Sequence, residues 1–278
     1  MNYQPTSSEI KNFLNEDIGT GDVTASIISV NTQATAFVIT REKMVLCGQA
    51  WFDAIFKAIN PAIAIQWLAS EGALVEENTT LCQITGSAQG LLTGERTALN
   101  LLQTLSYTAT IAKQYADAVA STRCKVLDTR KTIPGLRKAQ KYAVTCGGCF
   151  NHRTGLYDGV LIKENHIMAA DSIASAISIA RKSTDVLIEV EVESLDEYAQ
   201  AIEAKPDRIM LDNFSVTDMK KAVSIKHEDI ELEASGDIML ENIRTIAKTG
   251  VDFISIGALT KHVKAIDLSM RISMEKVS

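Results

Sequence analysis

A chain of 278 residues with formal net charge −6 and 46% hydrophobic residues can bury a large core, as one barrel or two modest domains. The acidic balance argues against nucleic acid as the main partner, and no apolar run approaches the roughly 18 residues of a membrane span. The five cysteines are an odd number, and the first residues, MNYQPTSSEIKNFLNED, lack the basic segment and apolar core of a secretory signal, so a reduced cytoplasmic protein is expected.

The opening segment predicts a helix, with Thr6-x-x-Glu9 as a capping box and Ile10, Phe13 and Leu14 at helical spacing. Short β-rich pieces follow: ATAFVIT (34–40), MVLCG (44–48), AIAIQWLA (62–69) and TLCQITG (80–86), with a helical WFDAIFKAIN among them. This pattern predicts an α+β region around a small sheet. GERTALNLLQTLSYTATIAKQYADAVA, from Gly94 to Ala120, predicts two helices.

The rhythm then changes. Apolar runs recur at KVLDT (125–129), GVLIK (159–163), DVLIEVEV (185–192), DRIMLDN (207–213), IELEAS (230–235) and DFISIGA (252–258), separated by amphipathic patterns such as DSIASAISIARK and SLDEYAQAIEAK. Runs apolar on both faces that alternate with helices predict a parallel sheet covered by helices. Six or seven such units fit a β/α barrel or a barrel short of a strand, with an open doubly wound sheet as the competitor.

Every proposed strand ends in polar residues, and in β/α barrels those ends share one face, which carries the active site. The cations of NHRTGLYDGVLIKENH (151–166) would then face Glu191, Asp212 and an anionic ligand, since a buried cation needs a partner. In EVEVE, alternation puts Glu189, Glu191 and Glu193 on one strand face, pointing into the barrel near its mouth. With Asp212 they would bind Mg²⁺ shared with a phosphate, or pair with Lys131 and Lys163 instead. EASG (233–236) and SIGA (255–258) read as an anion cup on the last two strands. Arg130 and Lys131 directly follow a strand and are expected to touch ligand, whereas Lys138 and Lys141 read as a solvated helix face. Cys146-Gly-Gly-Cys149 lacks a second ligand pair and reads as a loop; His166 and His262 read as supporting or helix-end residues, and His227 as a loop residue without a role.

EDIGTGDVT (16–24), GERTALNLLQ (94–103), DTRKTIPGLR (128–137), KYAVTCGGCFNHRTGLYDGVLIKENHI (141–167), EVEVE (189–193), MLDNF (210–214), LEASG (232–236) and TGVDFISIGALT (249–260) closely resemble the decarboxylating quinolinate phosphoribosyltransferase family, with Cys149 where members commonly carry a glycine. The resemblance implies an N-terminal α+β open-faced sandwich domain (1–106), a seven-stranded open β/α barrel (107–264), and residues 265–278 packing back on the first domain. It implies phosphoribosyl transfer from phosphoribosyl pyrophosphate to quinolinate, with release of CO₂ and pyrophosphate, in NAD biosynthesis. It also implies a homodimer, or a dimer-based hexamer, in which Arg96 reaches the neighbouring subunit's site. Carried over by motif, Lys131, Lys163, Glu191 and Asp212 are catalytic, and Thr129, Arg130, His152 and Arg153 join them in binding substrate. Ser235, Gly236, Asp237, Ile256, Gly257 and Ala258 would hold the 5-phosphate, with Mg²⁺ near Glu191 and Asp212, no organic cofactor, and neither nucleic acid nor membrane as partner. Three rivals remain at this level: a related transferase for another heteroaromatic acid, a non-catalytic phosphometabolite-binding barrel, and a class I aldolase-like barrel using Lys163 as Schiff-base nucleophile.

Overall fold

The structure, a computed structural model, describes residues 3–274, which fall into two units. The first runs to Ala112 and includes Lys138–Gly147 and the chain from His262 onward; the second comprises Lys113–Arg137 and Gly148–Lys261.

In the first unit, α1 (Ser7–Ile18) starts at the expected capping box: Glu9 N–H donates to Thr6 Oγ1 at 3.3 Å and Thr6 N–H donates to Glu9 Oε2 at 2.7 Å. A four-stranded antiparallel sheet has the order β12 (Leu268–Met274), β1 (Gln33–Thr40), β5 (Thr80–Ser87), β3 (Ala64–Trp67). Along β1, Ala34, Ala36, Val38 and Thr40 are buried in strict alternation, so one face is core. The short pair β2 (Met44–Val45) and β4 (Leu74–Val75) stands apart. Helix α2 (Gln49–Ile59) sets Phe52 edge-on to Trp67 of β3 at 5.3 Å between ring centroids, and Trp67 Nε1 donates to Asp53 at 2.9 Å. The stretch expected to form two helices is one, α3 (Ala88–Val119), which passes through its Ser/Thr-rich middle as Thr108 and Thr110 Oγ1 donate back to Thr104 O and Ser106 O at 3.1 and 2.6 Å. A Cβ at Gly94 would lie 2.8 Å from Phe56 Cε1 and Ile59 Cδ1, so the bare backbone is what lets α2 come close. Strands β4 and β12 were not singled out from sequence: one has only two residues, whereas the other, an edge strand, carried an available signal in the alternation of Leu268, Met270, Ile272 and Met274 with polar residues.

The second unit holds a parallel sheet in the order β6 (Lys125–Leu127), β11 (Phe253–Ser255), β10 (Glu231–Ser235), β9 (Arg208–Asp212), β8 (Ile188–Val192), β7 (Val160–Ile162). Helices α5 (Glu164–Ala169), α6 (Ile173–Ser183), α7 (Leu195–Ala204), α8 (Val216–Ser224), α9 (Leu240–Ala247) and α10 (Ala258–Lys261) intervene, as the βα rhythm predicted. Ser172, Ser194 and Ser215 cap α6, α7 and α8 through their side chains. Seven strands were implied and six form. The position beside β6 is taken by one parallel bridge, Leu127 to Phe150, where the glycine-rich loop turns the chain toward His152 instead of extending it. No helix among the described residues is long and apolar enough to cross a membrane.

One surface assignment is corrected. On α4 (Arg137–Cys146), Lys141 is fully buried, and Lys138 is three-quarters buried with its Nζ on Glu9 Oε2 at 2.5 Å. The basic face that looked solvated is a packed one.

Candidate active site

Parallel register assembles the site. Ile162 pairs with Val190, so the next residues outward, Lys163 and Glu191, emerge side by side, and Lys163 Nζ is ion-paired with Glu191 Oε2. Asp212 and Ser235 are likewise register partners on β9 and β10. A cavity of about 420 Å³ opens over these ends, lined by Thr129, Arg130, Lys131, His152, Arg153, Lys163, Glu191, Asp212, Glu233, Ser235 and Ser255, with Leu161 and Met210. The two edge strands, β6 and β7, both serve it, so the sheet curls until its ends meet around one mouth.

The loop after β6 is stitched down. Lys131 N–H donates to Thr129 Oγ1 at 3.1 Å, and Thr260 Oγ1 donates to Lys131 O at 2.7 Å. Arg137 spreads its guanidinium over Thr132 Oγ1 (3.1 Å), Thr154 O (3.1 Å) and Arg130 O (3.3 Å). The sequence marked Arg137 only as part of a basic run; its role in tying two site loops together needs the fold.

Arg130 keeps a buried Nε without a hydrogen-bond partner. Arg153 donates from Nη1 to Gly159 O at 3.4 Å, and burial, then the charge of Arg130, lowers its pKa. Two cations that repel one another, one of them with an unsatisfied buried donor, make a wall ready for an anion.

Of the EVEVE carboxylates, Glu191 faces the cavity, while Glu193 lies past the strand, exposed, its N–H donating to Glu197 at 2.7 Å. Glu189 departs from expectation: it lies within the barrel, not at its mouth, fully buried against His152 Nε2 at 2.9 Å. Burial and the charge of Glu233 push its carboxyl up to about 6. Glu233, also buried, sits 3.5 Å from His152 Nε2 and receives Arg208 Nη1 at 3.2 Å. Neither Glu233 nor Arg208 was singled out from sequence; a charged residue inside each of two apolar runs was the signal available. Burial opposes charge on the His152 ring, but hydrogen bonds to Glu189 and Glu233 outweigh it and push the ring's pKa up to about 9. The Arg153 N–H, 2.8 Å from Nδ1, opposes it again, since a proton there would face another donor. Because the Arg153 N–H needs a bare acceptor, the hydrogen-bond geometry assigns the Nε2–H tautomer. His166 lies in the first turn of α5 as a helix-end residue, its Nδ1 accepting from Lys163 N–H at 3.0 Å.

The expected phosphate cup is divided. Gly236, with φ +96°, is wedged so tightly that a Cβ would fall 2.0 Å from Asn213 Oδ1 and 2.8 Å from Asn213 N. Gly236 and Asp237 line a neighbouring cavity of about 510 Å³ rather than the first one. Gly257 precedes α10 beside Lys131, whose Cδ would lie 3.1 Å from a Cβ there, and Ala258 opens that helix. Ile256 offers no amide, because its N–H donates to Leu127 O at 2.8 Å and its side chain is buried. Arg96 is exposed on α3 in the first unit and is not among the cavity residues. The cysteines of the CxxC serve separately: Cys146 neighbours Cys47 and Glu71, and Cys149 is buried.

Residues 22–106 match the model of the quinolinate phosphoribosyl transferase N-terminal domain, and residues 108–271 match that of its C-terminal domain. A probable nicotinate-nucleotide pyrophosphorylase [carboxylating] of Synechocystis sp. is 41% identical over 95% of this chain and 91% of its own length. One from Bacillus subtilis is 37% identical over 100% and 97%. The solved structure of the nicotinate-nucleotide pyrophosphorylase from Francisella tularensis superimposes with TM-score 0.93 at 48% identity, covering 98% of this chain and 99% of that one. With both domain models matched in order along a chain whose strand ends build this cation-rich cavity, the protein belongs to the quinolinate phosphoribosyl transferase family.

Proposed function

We propose that the protein is a carboxylating nicotinate-nucleotide pyrophosphorylase, a pentosyltransferase of NAD biosynthesis. It would join quinolinate to phosphoribosyl pyrophosphate and release pyrophosphate and CO₂, giving nicotinate mononucleotide. One observation carries this reading: Arg130, Lys131, Arg153 and Lys163 converge with Glu191 and Asp212 on one cavity. Two polyanionic substrates need such a site, and an acidic protein has no reason to concentrate four cations otherwise.

The guanidinium groups of Arg130 and Arg153 take the carboxylates or phosphates bidentately, and Lys131 and Lys163 supply point charges. The pyridine nitrogen attacks the ribose C1 as pyrophosphate leaves with its electron pair. Glu191 and Asp212 stabilise the positive charge that develops on the sugar, and fixed orientation contributes much of the rest. The N-alkylated ring then releases its 2-carboxylate as CO₂, the ring nitrogen stabilising the electron pair left behind until a proton arrives. Ser235 and the backbone near Gly236, Asp237, Gly257 and Ala258 flank the 5-phosphate. Glu191, Glu193 and Asp212 bring carboxylate oxygens within 4.8 Å of one another, a hard-oxygen set that suits Mg²⁺. Bound there, Mg²⁺ would screen the pyrophosphate's charge.

The meeting of the two domain models near residue 107 supports 1–106 and 107–264 as the domains, with the final strand returning to the first. An exposed Arg96 supports a homodimer in which it enters the partner's site. A reduced, cytoplasmic setting accords with buried thiols such as Cys47 and Cys82.

The test is incubation with quinolinate, phosphoribosyl pyrophosphate and Mg²⁺. Nicotinate mononucleotide and CO₂ should form in equal amounts, and chelation should stop both. Ligand binding without turnover would return the case to a binding barrel.

A further inference from the structure

At the floor of the cavity and beneath it lies a charged network that the reaction just described leaves without a task. Glu189 and Glu233 project from β8 and β10 on either side of β9, with side chains 1% and 0% exposed. Arg208 balances one of them: Nη1 donates to Glu233 Oε2 at 3.2 Å, Nη2 donates to Glu231 at 2.7 Å, and the guanidinium lies 4.0 Å from the Phe253 ring centre. Oε1 of each buried carboxylate has no hydrogen-bond partner. Well-packed apolar side chains of similar volume are often as stable as such buried charges, or more so, so stability is a weak reason to keep them. Polar networks that remain unsatisfied in a core point to function.

His152 supplies the connection. Its Nε2 donates to Glu189 Oε2 at 2.9 Å, and on the opposite edge Nδ1 accepts the Arg153 backbone N–H at 2.8 Å. The His152 backbone N–H donates to Asp128 Oδ1 at 2.9 Å, which fixes the peptide immediately before that one. Both ring nitrogens are thus engaged by protein. The imidazole is a strut between the buried acids and the peptide that carries Arg153.

We propose that Glu189, with Glu233 and Arg208 behind it, is a positioning residue. It holds the His152 ring so that Nδ1 grips the Arg153 amide and the Arg153 guanidinium is aimed into the cavity. The inference rests on the reading of Arg153 as a substrate-anion ligand. It gives His152 a part in binding that is exercised through Arg153.

Steady-state kinetics on the full-length enzyme, varying each substrate in turn, tests this in Glu189→Met, Glu189→Gln, Arg153→Ala and the Glu189→Met/Arg153→Ala double variant, alongside thermal melting. Methionine keeps the volume and removes the acceptor; glutamine keeps an acceptor. Glu189→Met should lose about 10- to 100-fold in kcat/KM, with the KM rise confined to the substrate whose KM rises in Arg153→Ala. Glu189→Gln should recover most of the loss, and the double variant should be no worse than Arg153→Ala alone. His152→Phe keeps a ring but neither hydrogen bond; it should show the same split and serves if Glu189→Met melts early. Losses that multiply in the double variant, a KM rise shared by both substrates, or a glutamine variant as poor as methionine would overturn the proposal. Wild-type turnover in Arg153→Ala would instead overturn the anion-pocket reading itself.

Discussion

Arg130→Met should raise stability and remove activity, an opposition of signs that follows from the site's geometry. Methionine is close in length, so little volume is lost. The buried Arg130 Nε without a partner disappears, and with it the repulsion that adds to burial in lowering the Arg153 pKa. An unsatisfied buried polar group costs about 1–3 kcal/mol. At roughly 2–4 °C per kcal/mol for a protein of this size class, the melting temperature of the ligand-free enzyme should rise by a few degrees and up to about 10 °C. The backbone is spared, because Arg137 holds Arg130 through its carbonyl at 3.3 Å, not its side chain. Activity moves the other way: a hydrogen bond between charged groups contributes about 1.5–3 kcal/mol, so kcat/KM should fall roughly 10- to 150-fold. Differential scanning fluorimetry and the coupled release of pyrophosphate and CO₂ measure the two. A lower melting temperature with unaltered kcat/KM would show that Arg130 is a structural residue and refute the argument.

Lys163→Ala should also cripple turnover by one to two decades, about the loss of one charged contact. Because its side chain is 47% exposed, the melting temperature should move little; full activity in this variant would discredit the pocket. Gly236→Ala places a Cβ against Asn213, whose side chain donates to Asp212 at 2.9 Å, at a φ of +96°. Forcing an L side chain there costs about 1–2 kcal/mol before the clash is relieved, so a melt several degrees lower with impaired kcat is expected, and an unchanged melt would contradict the close approach. Glu189, whose folded pKa is raised from 4.5 to about 6, binds its proton more tightly folded than unfolded. Its contribution therefore makes the fold more stable as pH falls from 6 to 4.5, by about 2 kcal/mol in all. Glu189→Gln should gain stability at pH 7.5 and flatten the profile between pH 4.5 and 6; an identical slope in both proteins would place the titration elsewhere.

The elements were legible where local pattern and burial agree. Thr6 and Glu9 declare a helix start, the runs around Val126, Leu161, Val190, Leu211, Leu232 and Ile254 are apolar on both faces, and their polar outer ends mark the mouth. The failures share a cause. The stretch from Gly94 reads as two helices, but Thr108 and Thr110 in its middle satisfy their hydroxyls on the carbonyls four residues back and the helix runs on. Lys141 reads as solvated because lysine usually is, yet it is fully buried. Ile256 sits in a motif rich in small residues, but its amide serves Leu127.

The order of side chains along the chain determined the alternating strands and helices, the face on which charge would gather, and the anionic class of the ligand, because periodicities of two and 3.6 act within a few residues. Only the tertiary structure decided that Lys163 would meet Glu191, that Glu189 would sink beneath the site to hold His152, and that Arg137 would tie two loops together. Those contacts join residues 7 to 37 positions apart, and their energy comes from the curl and register of the sheet, which no local segment contains.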